Sequence, residues 1–225
     1  MNLVIFDCDG TIVDSQHMIV AAMDRAFADH GLVPLPRART LSIVGLSLNL
    51  AIGRLLPEGN QALVERVAQA YKAAFFELRQ NAAHHEPFYA GALAAIRQLA
   101  ARPDTVLAVA TGKSRRSVDA IFERMELHPY FVSIQTADRH PSKPHPAMIR
   151  SAIQETGATA ASTVMIGDTT FDIEMAKNAE VAGIGVAWGY HPVDQLKLAG
   201  AHAIVTDYDE LIPAIDRLLS PELQP

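Results

Sequence analysis

The chain opens on an unbroken apolar run, Leu3-Val4-Ile5-Phe6, that stops at Asp7. Such a short run predicts a buried strand. The spacing then changes. Met18, Ile19, Ala22, Met23, Ala26 and Phe27 recur at helical intervals, with Asp14 or Ser15 as the cap and Gly31 as the stop. Pro34 and Pro36 mark a link that leads to an apolar stretch at 41–47. Residues 49–56 predict a short helix, closed by Pro57 and Gly59. Leu63, Val64, Val67, Tyr71, Phe75 and Leu78 predict a longer amphipathic one. Residues 15–85 therefore read as all-helical, an insertion directly after the first strand.

From Pro87 onward strand and helix alternate. Strands are expected at 106–110, 131–134, 163–166, 185–188 and 203–206, with helices at 92–101, from Ser114 to about Met125, from about Met148 to Ile153, up to Ala179, and at 209–219. Alternating βα units imply an α/β fold: a parallel sheet with helices on both faces. The expected division is a core of residues 1–14 and 86–225, interrupted by the helical subdomain 15–85.

Composition narrows the function. The 225 residues, 49% hydrophobic and 20% charged, suit one large domain or a domain carrying a smaller one. A net charge of −6, with no basic stripe on any predicted helix, argues against a nucleic-acid partner. The single cysteine, Cys8, excludes an intramolecular disulfide and a cysteine-built zinc site, and reads as a small packing residue. No stretch approaches the ~20 apolar residues of a membrane span, and the N-terminal run is too short for a signal peptide. A soluble cytoplasmic protein is expected.

The candidate chemistry lies at the strand ends. Asp7 and Asp9 can converge in the turn that Gly10 invites; such a pair repels unless a cation or a shared proton relieves it. Thr111-Gly112-Lys113, the loop carrying Lys143, and Asp168 with Asp172 also follow or adjoin predicted strands. Ligands of open α/β sheets bind outside the carboxyl ends of the strands, so these groups can meet there. Hard oxygen ligands suit Mg²⁺. A hydroxyl, a backbone turn and a lysine suit a phosphate. Together they describe phosphoryl transfer to a carboxylate.

At this point the sequence resembles the haloacid dehalogenase superfamily, within it the phosphatases with a helical cap inserted after the first motif. Asp7-Cys8-Asp9-Gly10-Thr11-Ile12-Val13-Asp14-Ser15 matches the first motif, Thr111 after an apolar strand the second, Lys143-Pro144 the third, and Gly167-Asp168 with Asp172 the fourth. The resemblance implies a Rossmann-like core with the cap over the site. It implies that Asp7 is the nucleophile and that Asp9 protonates the leaving alcohol, then activates water. Thr111 would bind a phosphoryl oxygen and Lys143 would neutralise charge. Mg²⁺ would be held by Asp7, the Asp9 carbonyl and Asp168, with Asp172 orienting ligands.

Gly45 and its neighbours, the 111–116 segment and Trp188-Gly189-Tyr190 resemble phosphoglycolate phosphatases. The implied substrate is a small-molecule phosphate ester such as 2-phosphoglycolate. Candidate substrate contacts are Thr111, Gly112, Lys113, Gly45 and Arg115, the last as partner of a substrate carboxylate or as an exposed helix-start arginine. The chain carries Ala90-Gly91 where the family usually has Pro-Gly, and Glu180 where it usually has Gly. One alternative is a sugar-phosphate mutase, disfavoured because the cap segment offers only Arg54; another is a non-catalytic phospho-accepting module. Hinges are expected at 14–17 and 83–91. His140, His145 and His191 read as surface or satisfied core residues.

Overall fold

The computed structural model describes residues 1–80 and 86–220. Six parallel strands form one sheet: β1 (Asn2–Phe6), β2 (Thr105–Thr111), β3 (Phe131–Thr136), β4 (Thr163–Gly167), β5 (Ala182–Val186) and β6 (Ala203–Val205). Their order is β3-β2-β1-β4-β5-β6. The chain thus winds outward one way from β1, returns, and winds the other way from β4. The reversal leaves a crevice at the carboxyl ends of β1 and β4, where ligands of such sheets bind.

The strands are buried because their apolar residues alternate between two cores. Val4 and Phe6 join one cluster with Val109 and Ile166. Leu3 and Ile5 join the other with Ala108 and Met165. The first face is covered by α5 (Ala92–Ala100), α6 (Arg115–Met125) and α10 (Leu211–Leu219). The second is covered by α7 (Ala147–Thr156) and α8 (Thr170–Asn178). Phe6 meets Phe131 edge-on at 6.2 Å; fully burying a side chain of this size contributes about 1.5–3 kcal/mol.

Between Ser15 and Glu86 the helices among the described residues are α1 (Gln16–Ala28), α2 (Arg37–Leu41), α3 (Leu48–Leu55) and α4 (Gln61–Arg79). They build their own cores, one from Met23, Phe27, Ile52 and Val67, another from Met18, Ala22, Val44 and Phe75. The two chain crossings into this layer run side by side. Asp14 N–H donates to Pro87 O at 2.8 Å, and Val13 bridges Phe88 in antiparallel fashion.

Three expectations need correction. The fifth strand lies at Ala182–Val186, not 185–188. Ala182 and Gly183 pair with Val164 and Met165 on β4; small residues gave them little apolar signal. The polar helix α2 was not expected, and neither was α9 (Val193–Ala199). Of the expected hinges, residues 83–85 lie outside the described residues. Among the described residues no helix is long and apolar enough to cross a membrane.

Candidate active site

Asp7 follows β1 directly, and its amide N–H donates to Ile166 O of β4 at 2.9 Å. Its side chain is therefore held over the crevice. Asp168 follows β4, and Asp172 lies in the first turn of α8. One carboxylate oxygen from each of Asp7, Asp168 and Asp172 falls within 4.8 Å of the others, and all three residues are buried. Lys143, fully buried, places Nζ 2.9 Å from Asp7 Oδ1 and 2.6 Å from Asp172 Oδ1. Burial works against its charge, but Asp172 and Asp7 outweigh it and keep the ammonium protonated.

The remaining bonds are local and well defined. Asp168 Oδ1 accepts from Thr11 Oγ1 at 3.1 Å, and Oδ2 from Tyr190 N–H at 2.9 Å. Asp172 Oδ2 accepts from the hydroxyl and amide of Thr169. Gly10, at φ +76°, passes so near Asp168 that a Cβ there would strike its carboxylate. Asp7 Oδ2 is buried with no hydrogen-bond partner.

Charge is out of balance here. Three carboxylates face one lysine. Burial raises the Asp7 pKa, Lys143 lowers it, and Asp172 and Asp9 raise it again, to about 7 in sum. Asp168 is pushed well above the carboxylate range by burial, then by Asp172 and Asp7. A divalent cation among them would restore neutrality, and the all-oxygen donor set with an unpartnered Asp7 oxygen fits a hard ion such as Mg²⁺.

Asp9 turns the other way. Its carboxylate lies outside the three-carboxylate cluster, with Oδ1 2.9 Å from Lys113 Nζ. Lys113 is shared with Glu86, at 3.0 Å, which also pairs with Arg79 at 2.8 Å and accepts from Ser15 Oγ at 3.1 Å. Burial disfavours the Glu86 carboxylate, but Lys113 and Arg79 overcome it and bring the pKa down to about 2. Nothing in the apolar periodicity singled out Glu86.

A cavity of about 600 Å³ opens above these groups. Asp7, Asp9, Thr111 and Lys113 form its floor; Val44, Gly45 and Phe75 belong to its helical wall. Gly112 is where core and helical layer touch: a Cβ there would lie 2.6 Å from Gly45 O and 2.8 Å from Leu46 O. The seam continues with Ser47 N–H donating to Ser142 Oγ at 2.8 Å. His191 completes it. Its Nδ1 accepts from Thr170 N–H, so its Nε2 carries the proton donated to Ser42 O at 3.2 Å. His191 is thus a satisfied bridging residue; His140 pairs with Gln135, and His145 accepts from Ala147 N–H.

Arg115 is not among the residues lining the cavity and opens α6, in line with its reading as a helix-start arginine. Its Nε donates to Asp119 Oδ1 at 2.8 Å, one turn along α6. The neighbouring Arg116 lines the cavity instead, with Cζ 5.0 Å from the Phe76 ring. Adjacent helical positions point about 100° apart, so one step decides which arginine faces in.

The chain belongs to the haloacid dehalogenase-like hydrolases, whose family model it matches over residues 4–186. It is 39% identical to the "Probable phosphatase IndB" of Dickeya dadantii (strain 3937), over 99% of this chain and 97% of that one. Identity with the phosphoglycolate phosphatase of Agrobacterium fabrum (strain C58) is 30%, over 97% and 94%. The crystal structure of a predicted phosphatase from Clostridium acetobutylicum matches with a TM-score of 0.85 at 25% identity, covering 96% of this chain and 98% of the other.

Proposed function

We propose that the protein hydrolyses a small-molecule phosphate monoester with Mg²⁺, through a phosphoryl group carried on Asp7. The observation that carries this reading is Asp7 itself, a buried carboxylate on the cavity floor whose Oδ1 is anchored 2.9 Å from Lys143 Nζ. A carboxylate so held is aimed as a nucleophile.

Asp7 attacks phosphorus, and the bond from phosphorus to the alcohol oxygen breaks. Asp9, across the floor, gives that oxygen a proton. Water then attacks the phosphoryl-aspartate, Asp9 takes the water's proton, and inorganic phosphate leaves with Asp7 restored. Lys143 offsets charge on Asp7 and the phosphoryl oxygens, and Thr111 donates to one of them. Asp7, the Asp9 carbonyl and Asp168 would hold Mg²⁺, with Asp172 orienting the set; the ion supplies charge neutralisation for the transferring group.

Residues 15–85 are read as a cap that excludes bulk water when closed. The seam at Gly112, Ser142 and His191 supports a closed arrangement. The paired crossings at Asp14 and Pro87 support a hinge. A mutase fits less well, because Arg54 stacks on Phe171 at 5.2 Å and is not among the residues lining the cavity.

The test is phosphate release from a panel holding 2-phosphoglycolate, sugar phosphates, nucleoside monophosphates and an aryl phosphate. Release should require Mg²⁺ and stop with EDTA. Asp7→Asn should lower turnover by about 10³-fold or more, and Asp9→Asn by about 10²–10⁴-fold. Near-normal turnover in either variant would overturn the mechanism. Isomerisation of a sugar phosphate without phosphate release would replace it with the mutase.

A further inference from the structure

The cavity is large for the smallest candidate substrates. At ~30 Å³ per water, its 600 Å³ equals on the order of twenty waters, and 2-phosphoglycolate fills the space of only about five. A site that works by excluding water would then stay mostly wet. Its helical wall is also poorly suited to a two-carbon acid. Ile43, Val44 and Leu46 present apolar surface, and Phe75, beside Tyr71 at 5.7 Å, carries Arg79 Cζ at 5.1 Å and Lys113 Nζ at 5.0 Å from its ring centroid. Phe76 lines the cavity while half exposed, so packing within the protein does not account for it.

The cations of the cavity fall into two sets. Lys113 and Arg79 are paired with Asp9 and Glu86. Arg116 is not: among the described residues it pairs with no carboxylate, and its contact is the face of Phe76. Asp138, the other acid on that wall, accepts from the Arg115 amide at 3.1 Å. Lys72, exposed on the same cavity, is likewise without an acidic partner among the described residues. Guanidinium groups held on an aromatic face keep their donors free for a carboxylate or phosphate.

We propose that the substrate's alcohol part carries a ring-sized apolar body, packed against Val44 and Phe76, and an anionic group remote from the phosphate that Arg116 binds. This rests on the phosphatase reading above and names its substrate class. The phosphate lies at Asp7 and Thr111, the ring along the helical wall, and the distal anion at Arg116.

Three monoesters of primary alcohols separate size from charge: 2-phosphoglycolate, benzyl phosphate and 4-carboxybenzyl phosphate. With Mg²⁺, kcat/KM should rise at least about tenfold from the first to the second, and about tenfold again to the third. The carboxybenzyl-to-benzyl ratio should collapse towards one in Arg116→Ala and be partly kept in Arg116→Lys. Phe76→Ala should narrow the gap between benzyl phosphate and 2-phosphoglycolate. Hydrolysis of 2-phosphoglycolate at or above the benzyl rate overturns the ring-sized body. An unchanged carboxybenzyl-to-benzyl ratio in Arg116→Ala overturns the distal anion site. Failure of the phosphatase reading looks different: no ester, p-nitrophenyl phosphate included, is cleaved above the Asp7→Asn background, and the substrate proposal falls with it.

Discussion

Lys143 shows most directly how single residues set this site. It is fully buried and serves two carboxylates at once. Removing one member of such a group leaves uncompensated buried charge, which costs about 3–5 kcal/mol. Lys143→Met should therefore lose that much stability in urea unfolding without metal, and regain part of it with Mg²⁺. A variant as stable as the parent would show that the lysine is not holding the carboxylates together. The groups legible in the sequence were those adjoining an element: Asp7 and Asp168 follow β1 and β4, and Asp172 lies in the first turn of α8, all at the carboxyl ends of the two central strands. Glu86, Ser142 and His191 were not legible in their roles. Glu86 meets Lys113 27 positions away, Ser142 meets Ser47 95 away and His191 meets Ser42 149 away, and no local spacing encodes such meetings. Arg116, which lines the cavity, was not singled out, because helix phase is legible only when flanking apolar positions are read strictly. Val118, Ile121 and Phe122 do define the buried face of α6, and Arg115 sits between it and Asp119.

At the scale of elements, apolar runs revealed β1, β2 and β4 because each is buried on both faces. β5 was displaced because Ala182, Gly183 and Gly185 carry almost no hydrophobic signal, yet Gly183 lets α8 approach to 3.3 Å of a would-be Cβ. Helix ends hold a different lesson. Glu126 caps α6 at φ +54°, and Glu180 follows α8 at φ +60°. A left-handed conformation costs a residue with a side chain about 1–2 kcal/mol, and acidic groups are disfavoured at a helix C-terminus. The family's usual glycine at position 180 thus has a conformational reason. Glu180→Gly should raise stability by about 1 kcal/mol, allowing for the entropy glycine loses on folding. Thermal unfolding would register this as an increased Tm, and a decrease would contradict it.

For the molecule as a whole, Glu86 ties the parts together. Ser15 begins the helical layer, Arg79 ends α4, and Lys113 belongs to the core site; all three bond to its carboxylate. Arg124 of α6 holds its carbonyl at 3.0 Å. Its pKa of about 2, against an ordinary 4.5, makes folding favour the ionised form. The sign follows from linkage: the contribution is fully present above about pH 4.5 and is lost as pH falls towards 2. Its size is on the order of 3 kcal/mol. Glu86→Gln should be less stable than the parent at pH 7, and the gap should shrink between pH 4.5 and 2. Urea midpoints across that range would measure it; a gap independent of pH would remove the carboxylate's charge as the cause.

The paired crossings at Asp14 and Pro87 have a further consequence. Because the chain leaves and re-enters the core at neighbouring points, the sheet is closed without the helical layer, and β1 reaches β2 in space with no help from what lies between. The intervening segment behaves as an exchangeable cassette. Changes of length there leave the strand register unaltered, because the register is set by β1 and β2 themselves.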